Sequence, residues 1–161
     1  EAVRRVAYMI NVPHAFTPEY PSEETEPRPC KVPVILNLYD AYMAGENSHH
    51  LAVNVEPAFP TLCEMTLCHQ SQITEWLPWV NRHAIEKPGS PEDWATGLRQ
   101  RMERQQREVG IAVSGLYELF TVTAWGVVPS FEQLIRDFPN LSDQASNLDH
   151  LQRVLQRWSG K

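Results

Sequence analysis

The sequence is short of cysteine: its 161 residues include three, Cys30, Cys63 and Cys68. A small and odd number of thiols argues against a disulfide-stabilised secreted scaffold and favours a reducing compartment. No targeting segment is recognisable either. We therefore expect a cytoplasmic location.

A long apolar run is also missing. The longest candidate, 110–128, is interrupted by Ser114, Glu118, Thr121 and Thr123, whereas a membrane-spanning helix needs about 20 mostly apolar residues. Positive charge is scarce too, since 14 Lys and Arg face 20 Asp and Glu, for a formal net charge of −6. Nucleic acid and anionic membranes select clustered positive charge, so neither is an expected partner. A basic protein suits such a chain better.

Motifs of the common enzyme classes are absent. The chain contains no Gly-x-Ser-x-Gly, no Walker loop, no His-Glu-x-x-His and no Rossmann glycine fingerprint. Whether the protein is an enzyme is therefore left open, with a non-catalytic role favoured.

The residues that are present predict one globular domain spanning 1–161, since 42% are hydrophobic and 21% charged. Their periodicity predicts a helix-dominant α+β fold, in which four to five helices pack a small antiparallel sheet from the N-terminal third. Strands are expected at 4–12, 50–56 and 61–69, the last two as a hairpin. Pro33 is expected to begin a helix that ends near Gly45, with a buried strand at 32–38 as the alternative.

The C-terminal half is mostly helical by the same criteria. A helix over 71–83 is expected to kink at Pro78. Ser90, Ser130 and Ser142 are each expected to cap a helix. The segment 111–125 fits a helix or a strand.

Partner-binding candidates lie in two places. The Pro/Glu-rich loop 13–33 holds six prolines and four glutamates, which would steer a basic partner or form a solvated connector. These glutamates are Glu19, Glu23, Glu24 and Glu26. Trp76 and Trp79 suit a core better by frequency, yet large aromatics also anchor interfaces.

Zinc is the metal that these residues could bind, because thiolate and imidazole are the ligands that zinc prefers. Its candidates are Cys63, Cys68 and His69, with His49, His50 and Cys30 nearby in sequence. The spacing is not that of common structural sites, and two cysteines on a buried strand are the alternative. The same residues also suggest a cysteine nucleophile with a histidine base.

Two charged patterns on predicted helices have a functional and a solvated interpretation. His83 and Glu86 lie on one side of a helix, as an acid–base pair or as solvated surface. An arginine stretch can bind an anion or form i,i+4 ion pairs with Glu103 and Glu108. The stretch comprises Arg99, Arg101, Arg104 and Arg107.

The segment from Arg107 to Ala112 is similar to the Arg/Gln-x-x-Gly-x-Gly/Ala loop of acetyl-CoA-dependent N-acetyltransferases, and Trp-Leu-Pro-Trp at 76–79 loosely resembles a segment common in that family. The resemblance implies pyrophosphate binding by 107–112. In the family the loop follows a buried strand, whereas here 94–106 is predicted helical.

Two functions follow as hypotheses. The favoured one is a non-catalytic protein-binding module, of adaptor, inhibitor or toxin-neutralising type, that uses an acidic surface and no cofactor. The alternative is a small metal- or thiol-dependent enzyme, or an acyl-CoA-dependent transferase.

Overall fold

A computed structural model describes residues 2–9, 31–40, 48–81 and 86–160 of the chain. Helices dominate this described part. They are α1 (Ala2–Met9), α2 (Phe59–Leu67), α3 (Leu77–Val80), α4 (Pro91–Glu108), α5 (Phe131–Asp137) and α6 (Leu148–Ser159). The strands are β1 (Leu36–Leu38), β2 (Leu51–Asn54) and β3 (Tyr117–Val122). A 3-10 turn occupies Glu56–Ala58, and a π-helical turn occupies Gln72–Trp76.

The sheet is antiparallel with strand order β1-β3-β2. Leu36 pairs with Val122 on one side of β3, and Leu51 pairs with Phe120 on the other. The outer edge of β2 is covered by the chain near Leu141, which forms an isolated bridge with Val53. The expected helix-dominant α+β class with a small antiparallel sheet is confirmed. Its central strand, β3, comes from the segment left open between helix and strand.

Both faces of the sheet are packed against other parts of the chain. Successive side chains of β3 point to opposite sides, so they enter two separate clusters. One face packs on α5 and α6 in a core of Leu51, Val122, Leu134, Leu151 and Leu155. The other face forms a second cluster of Ala52, Ile111, Tyr117, Leu119 and Ala145. A third cluster joins α2 to α4 through Phe59, Cys63, Met102 and Leu116.

Helix starts follow local side-chain chemistry. The hydroxyl of Ser90 accepts the N–H of Asp93 at 3.1 Å, and that of Ser130 accepts the N–H of Gln133 at 3.1 Å. Both contacts satisfy a donor that a helix N-terminus leaves unpaired, as expected from the sequence. The expectation for Ser142 was wrong, because its hydroxyl accepts from Ala145 in the turn that precedes α6.

Three other local predictions were also wrong. The segment 4–12 was expected to be a strand, but 2–9 is helical, since Val3, Val6 and Ala7 also satisfy the helical repeat. The favoured helix after Pro33 is instead the alternative strand, because its backbone pairs with β3. Residues 61–69 lie largely in α2, where Pro60 occupies the first turn and its missing N–H costs no hydrogen bond.

None of the helices in the described ranges is both long and apolar enough to span a bilayer.

Candidate partner-binding surface

The helical segment after α2 changes geometry at Pro78, where the sequence predicted a kink. The N–H of Leu77 bonds the carbonyl of Gln72, five residues back, so the turn is π-helical. Pro78 has no N–H, and in a regular helix its ring would collide with the carbonyl of Thr74. A wider turn in front of the proline relieves that collision, which accounts for the π geometry at this place.

The π turn decides which side chains face inward. In a turn closed by i→i+5 bonds, residues five apart lie nearly above one another, and Ile73 and Pro78 are both buried. The opposite side presents Trp76, Trp79 and Val80, which we call the tryptophan face. Trp76 is 49% exposed, Trp79 70% and Val80 45%. The two tryptophans are therefore surface residues, not core residues.

Two carboxylates lie in the segment that carries the tryptophan face. Residues 57–81 contain Glu64 and Glu75 but no Lys or Arg, and both carboxylates are exposed. This segment therefore combines exposed apolar side chains with two exposed carboxylates, and Arg82 follows it directly in the sequence.

The candidate zinc residues do not come together. Cys63 is buried between α2 and α4, whereas Cys68 and His69 are exposed beyond the end of α2. Burial raises the pKa of the Cys63 thiol, which disfavours the thiolate, the reactive and metal-binding form. Across the described ranges, no three His, Cys, Asp or Glu side chains are grouped so as to hold a metal ion.

His49 and His50 are buried elsewhere, and the ring of His150 of α6, an exposed residue, lies beside that of His50. We call these three residues the histidine cluster. The ring of His49 contacts the carbonyl of Ala145 through Nε2 at 2.8 Å, and Nδ1 of His50 accepts the N–H of Val122 at 3.0 Å. Because that bond uses Nδ1, the neutral ring of His50 carries its proton on Nε2, and neither nitrogen has a lone pair available for a metal. Sequence reasoning missed this cluster because His150 lies about 100 residues from His50.

The four arginines of the stretch have different surroundings. Arg99 binds Glu56 through both guanidinium nitrogens, at 2.6 and 3.2 Å, and lies 4.6 Å from the ring centre of Phe59. Hydrogen bonding to Arg99 lowers the pKa of Glu56. This arginine therefore links α4 to the 3-10 turn. The other three are exposed, and the expected pairs with Glu103 and Glu108 are not among the ion pairs of the described residues.

The loop 107–112 closes the C-terminal end of α4. Gly110 adopts φ 83°, which favours glycine, and its N–H bonds the carbonyl of Arg107 at 3.0 Å. The N–H of Ile111 bonds the carbonyl of Gln106 at 2.9 Å. A helix C-terminus carries partial negative charge, which disfavours a pyrophosphate, and the N–H groups of Gly110 and Ile111 are already bonded within the chain. The loop thus lacks the strand–loop arrangement on which the resemblance to acetyltransferases depends.

Some candidates lie outside the described residues. They are Glu19, Glu23, Glu24, Glu26, Cys30 and His83. Glu86, the expected partner of His83, is described and exposed.

Comparison with known proteins finds no relative of this chain. No family model matches the chain, and no curated protein or solved structure is significantly similar to it. Functional inference therefore depends on the residues and their geometry.

Proposed function

We propose that this protein is a non-catalytic binding module that docks a basic protein partner through its tryptophan face. The observation that carries the proposal is the exposure of Trp76 and Trp79 one helical turn apart, beside Val80. Positions i, i+3 and i+4 of a helix form one continuous surface. A partner therefore meets two indole rings and a branched aliphatic side chain together.

Tryptophan is suited to this role by its size. Each indole buries a large apolar area at a small cost in side-chain entropy, and it is among the residues most enriched at interface hot spots. An interface helix presents its anchors in the same i, i+3, i+4 pattern when it enters a hydrophobic groove. We infer that the partner offers an apolar cleft for Trp76 and Trp79.

The expected chemistry of the cleft rim follows from charge. Glu64 and Glu75 accompany the tryptophan face, and the chain as a whole has a net charge of −6. Lysines and arginines around the cleft would complement these carboxylates and accelerate association. The glutamates of the 13–33 loop, Glu19, Glu23, Glu24 and Glu26, would add long-range steering.

The first experiment identifies the partner by position. A photo-crosslinking residue is placed at Trp79 and, as a matched control on another surface, at Ile135, which is 39% exposed on α5. We expect the Trp79 probe to crosslink one basic protein that the Ile135 probe does not reach. Crosslinks to a second copy of the chain alone would contradict the proposal.

Binding kinetics with the purified partner then distinguish the contribution of the tryptophans, seen in the dissociation rate, from that of the glutamates, seen in the association rate. Replacing Trp79 by Ala should raise the dissociation rate about 30-fold or more, because an anchor of about 2 kcal/mol is removed. Reversing the four loop glutamates to lysine should slow association and flatten its salt dependence. Trp125, which is 45% exposed elsewhere, serves as the control, since its change to Ala should leave both rates unaltered. An unchanged dissociation rate in Trp79→Ala would exclude the tryptophan face as the docking site.

A further inference from the structure

The side chain of His50 extends the hydrogen-bond ladder of the sheet. Its backbone N–H donates to the carbonyl of Phe120 at 2.8 Å, and its Nδ1 accepts the N–H of Val122 at 3.0 Å. The imidazole thus takes the place that a strand carbonyl would occupy beside β3. His50 is 4% exposed and Val122 1% exposed, so water does not compete for this bond.

The same end of the sheet is tied to the turn that begins α6. His49 contacts the carbonyl of Ala145 through Nε2 at 2.8 Å. The side-chain amide of Asn147 donates to the carbonyl of His49, and its backbone N–H donates to that of His50, both at 3.0 Å. Two consecutive histidines therefore connect the central strand on one side with the start of α6 on the other.

Protonation of His50 is incompatible with this arrangement. The neutral ring carries its proton on Nε2, so a second proton must bind Nδ1. An imidazolium donates from both nitrogens, so it accepts nothing from Val122. The N–H of Val122 would then face the N–H of the imidazolium, with no acceptor for either. A buried backbone donor without an acceptor costs the full free energy of its desolvation.

Neighbouring charges act in the same direction. The ring of His150, on the first turn of α6, lies 5.2 Å from that of His50, centre to centre. Among the described residues, the titratable groups that act on His50 are His150 and the preceding residue, His49. Burial, His150 and His49 together lower the pKa of His50 to about 4. The closed form therefore keeps His50 neutral down to about pH 5, and between about pH 5 and 6.5 the ring takes up a proton when the cluster opens.

We propose that the histidine cluster is an acid-sensitive switch that releases α6 from the sheet when His50 becomes protonated. At neutral pH the ring holds Val122, and the turn 145–147 keeps α6 against the sheet. On acidification the opened form, in which His50 has its ordinary affinity for protons, gains population. Release of α6 uncovers Leu51 and Val122, which form one core with Leu151 and Leu155.

Hydrogen exchange of single amides in the full-length chain measures this opening. We compare pH 7.5 with pH 5.5, after correction for intrinsic exchange rates, at the N–H groups of Val122, Asn147 and Leu151. One proton bound on opening, with a pKa of 6.5 in the open form, predicts an approximately tenfold loss of protection over this interval. The amide of Met102 in α4, outside the cluster, should keep its protection.

Two variants assign the proton. His50→Asn offers an amide oxygen to Val122 and does not titrate, so the tenfold loss should disappear. His69→Gln removes an exposed histidine and should preserve the loss. Equal protection of the wild-type protein at both pH values, or the same tenfold loss in His50→Asn, would overturn the proposal.

Nitrogen chemical shifts of the His50 ring provide a test that needs no variant. The wild-type ring should stay neutral down to pH 5, with its proton on Nε2. A proton on Nδ1 at pH 7, or titration near pH 6.5 in the folded protein, would overturn the switch even if His50→Asn fails to fold.

Discussion

The side-chain amide of Gln106 in α4 satisfies two backbone groups of the turn into β3: its Oε1 accepts the N–H of Tyr117 at 2.8 Å, and its Nε2 donates to the carbonyl of Gly115 at 3.0 Å. Gln106 is 5% exposed. One glutamine thus acts as a peptide group between a helix and a strand that have no direct backbone bond at this point.

Replacing Gln106 by Leu should lower the free energy of unfolding by about 2–4 kcal/mol, because the buried N–H of Tyr117 and the partly buried carbonyl of Gly115 lose their partner. Urea denaturation monitored by tryptophan fluorescence measures the change. Gln100→Leu, at an exposed position of the same helix, is the matched control and should stay within about 0.5 kcal/mol of the wild type. A loss at position 106 no larger than that of the control would show that the bridge contributes nothing to stability.

Two glycine-to-alanine changes should have opposite signs. A methyl group on Gly126 would overlap the carbonyl oxygen of Pro33, which accepts the N–H of Val127, so we expect a loss of about 1–3 kcal/mol. Gly97 lies inside α4 with open space around its Cα, so alanine there should stabilise by about 0.5–1 kcal/mol. Thermal and urea unfolding of both variants check the signs. Stabilisation by Gly126→Ala would mean that the 124–127 loop adapts freely.

The two described thiols should differ sharply in reactivity. In a Cys30→Ser background, a disulfide reagent should modify exposed Cys68 quickly at pH 8, and Cys63 only as fast as the α2–α4 cluster opens. Adding Cys68→Ser should remove the fast phase, whereas adding Cys63→Ser should leave it intact. Two equally fast thiols would contradict the burial of Cys63 and would favour the thiol-enzyme hypothesis.

Global stability should also depend on His50. Its folded pKa of about 4 lies below the ordinary histidine pKa of about 6.5, so the unfolded chain binds more protons between these values. The stabilising contribution is complete above about pH 6.5 and is lost as the pH falls toward 4, by up to about 3 kcal/mol. The quantity to measure is the difference between the unfolding free energies of wild type and His50→Asn from pH 7.5 to 4.5. A difference that does not change with pH would show that His50 titrates normally in the folded protein.

Predictions from local chemistry were the ones that survived. Ser90 and Ser130 were predicted correctly as helix caps because each hydroxyl accepts the N–H of a residue only three positions later. Such a contact depends on neighbouring residues alone. Pro78 disturbs its helix because the clash involves a carbonyl four residues away. The apolar alternation at 51–54 predicted β2 correctly.

Predictions that depend on distant partners were less successful. The same apolar letters at 32–38 allow a helix or a strand, and pairing with β3, more than 80 residues later, selected the strand. The segment 117–122 could not be assigned for the same reason, since its place at the centre of the sheet requires both neighbours. The apolar residues at 4–12 fit both a helical and a strand periodicity, and the predicted strand was wrong because residues 2–9 form a helix.

The sequence by itself determined the class of the fold, the acidic charge, the caps at Ser90 and Ser130 and the change of helix geometry at Pro78, because these depend on composition or on contacts within about one turn. The tertiary structure alone decided that Trp76 and Trp79 face outward, that Cys63 is separated from His69, and that His50 meets His150. Burial and side-chain proximity depend on which elements pack together, and that packing is set by all segments of the chain at once.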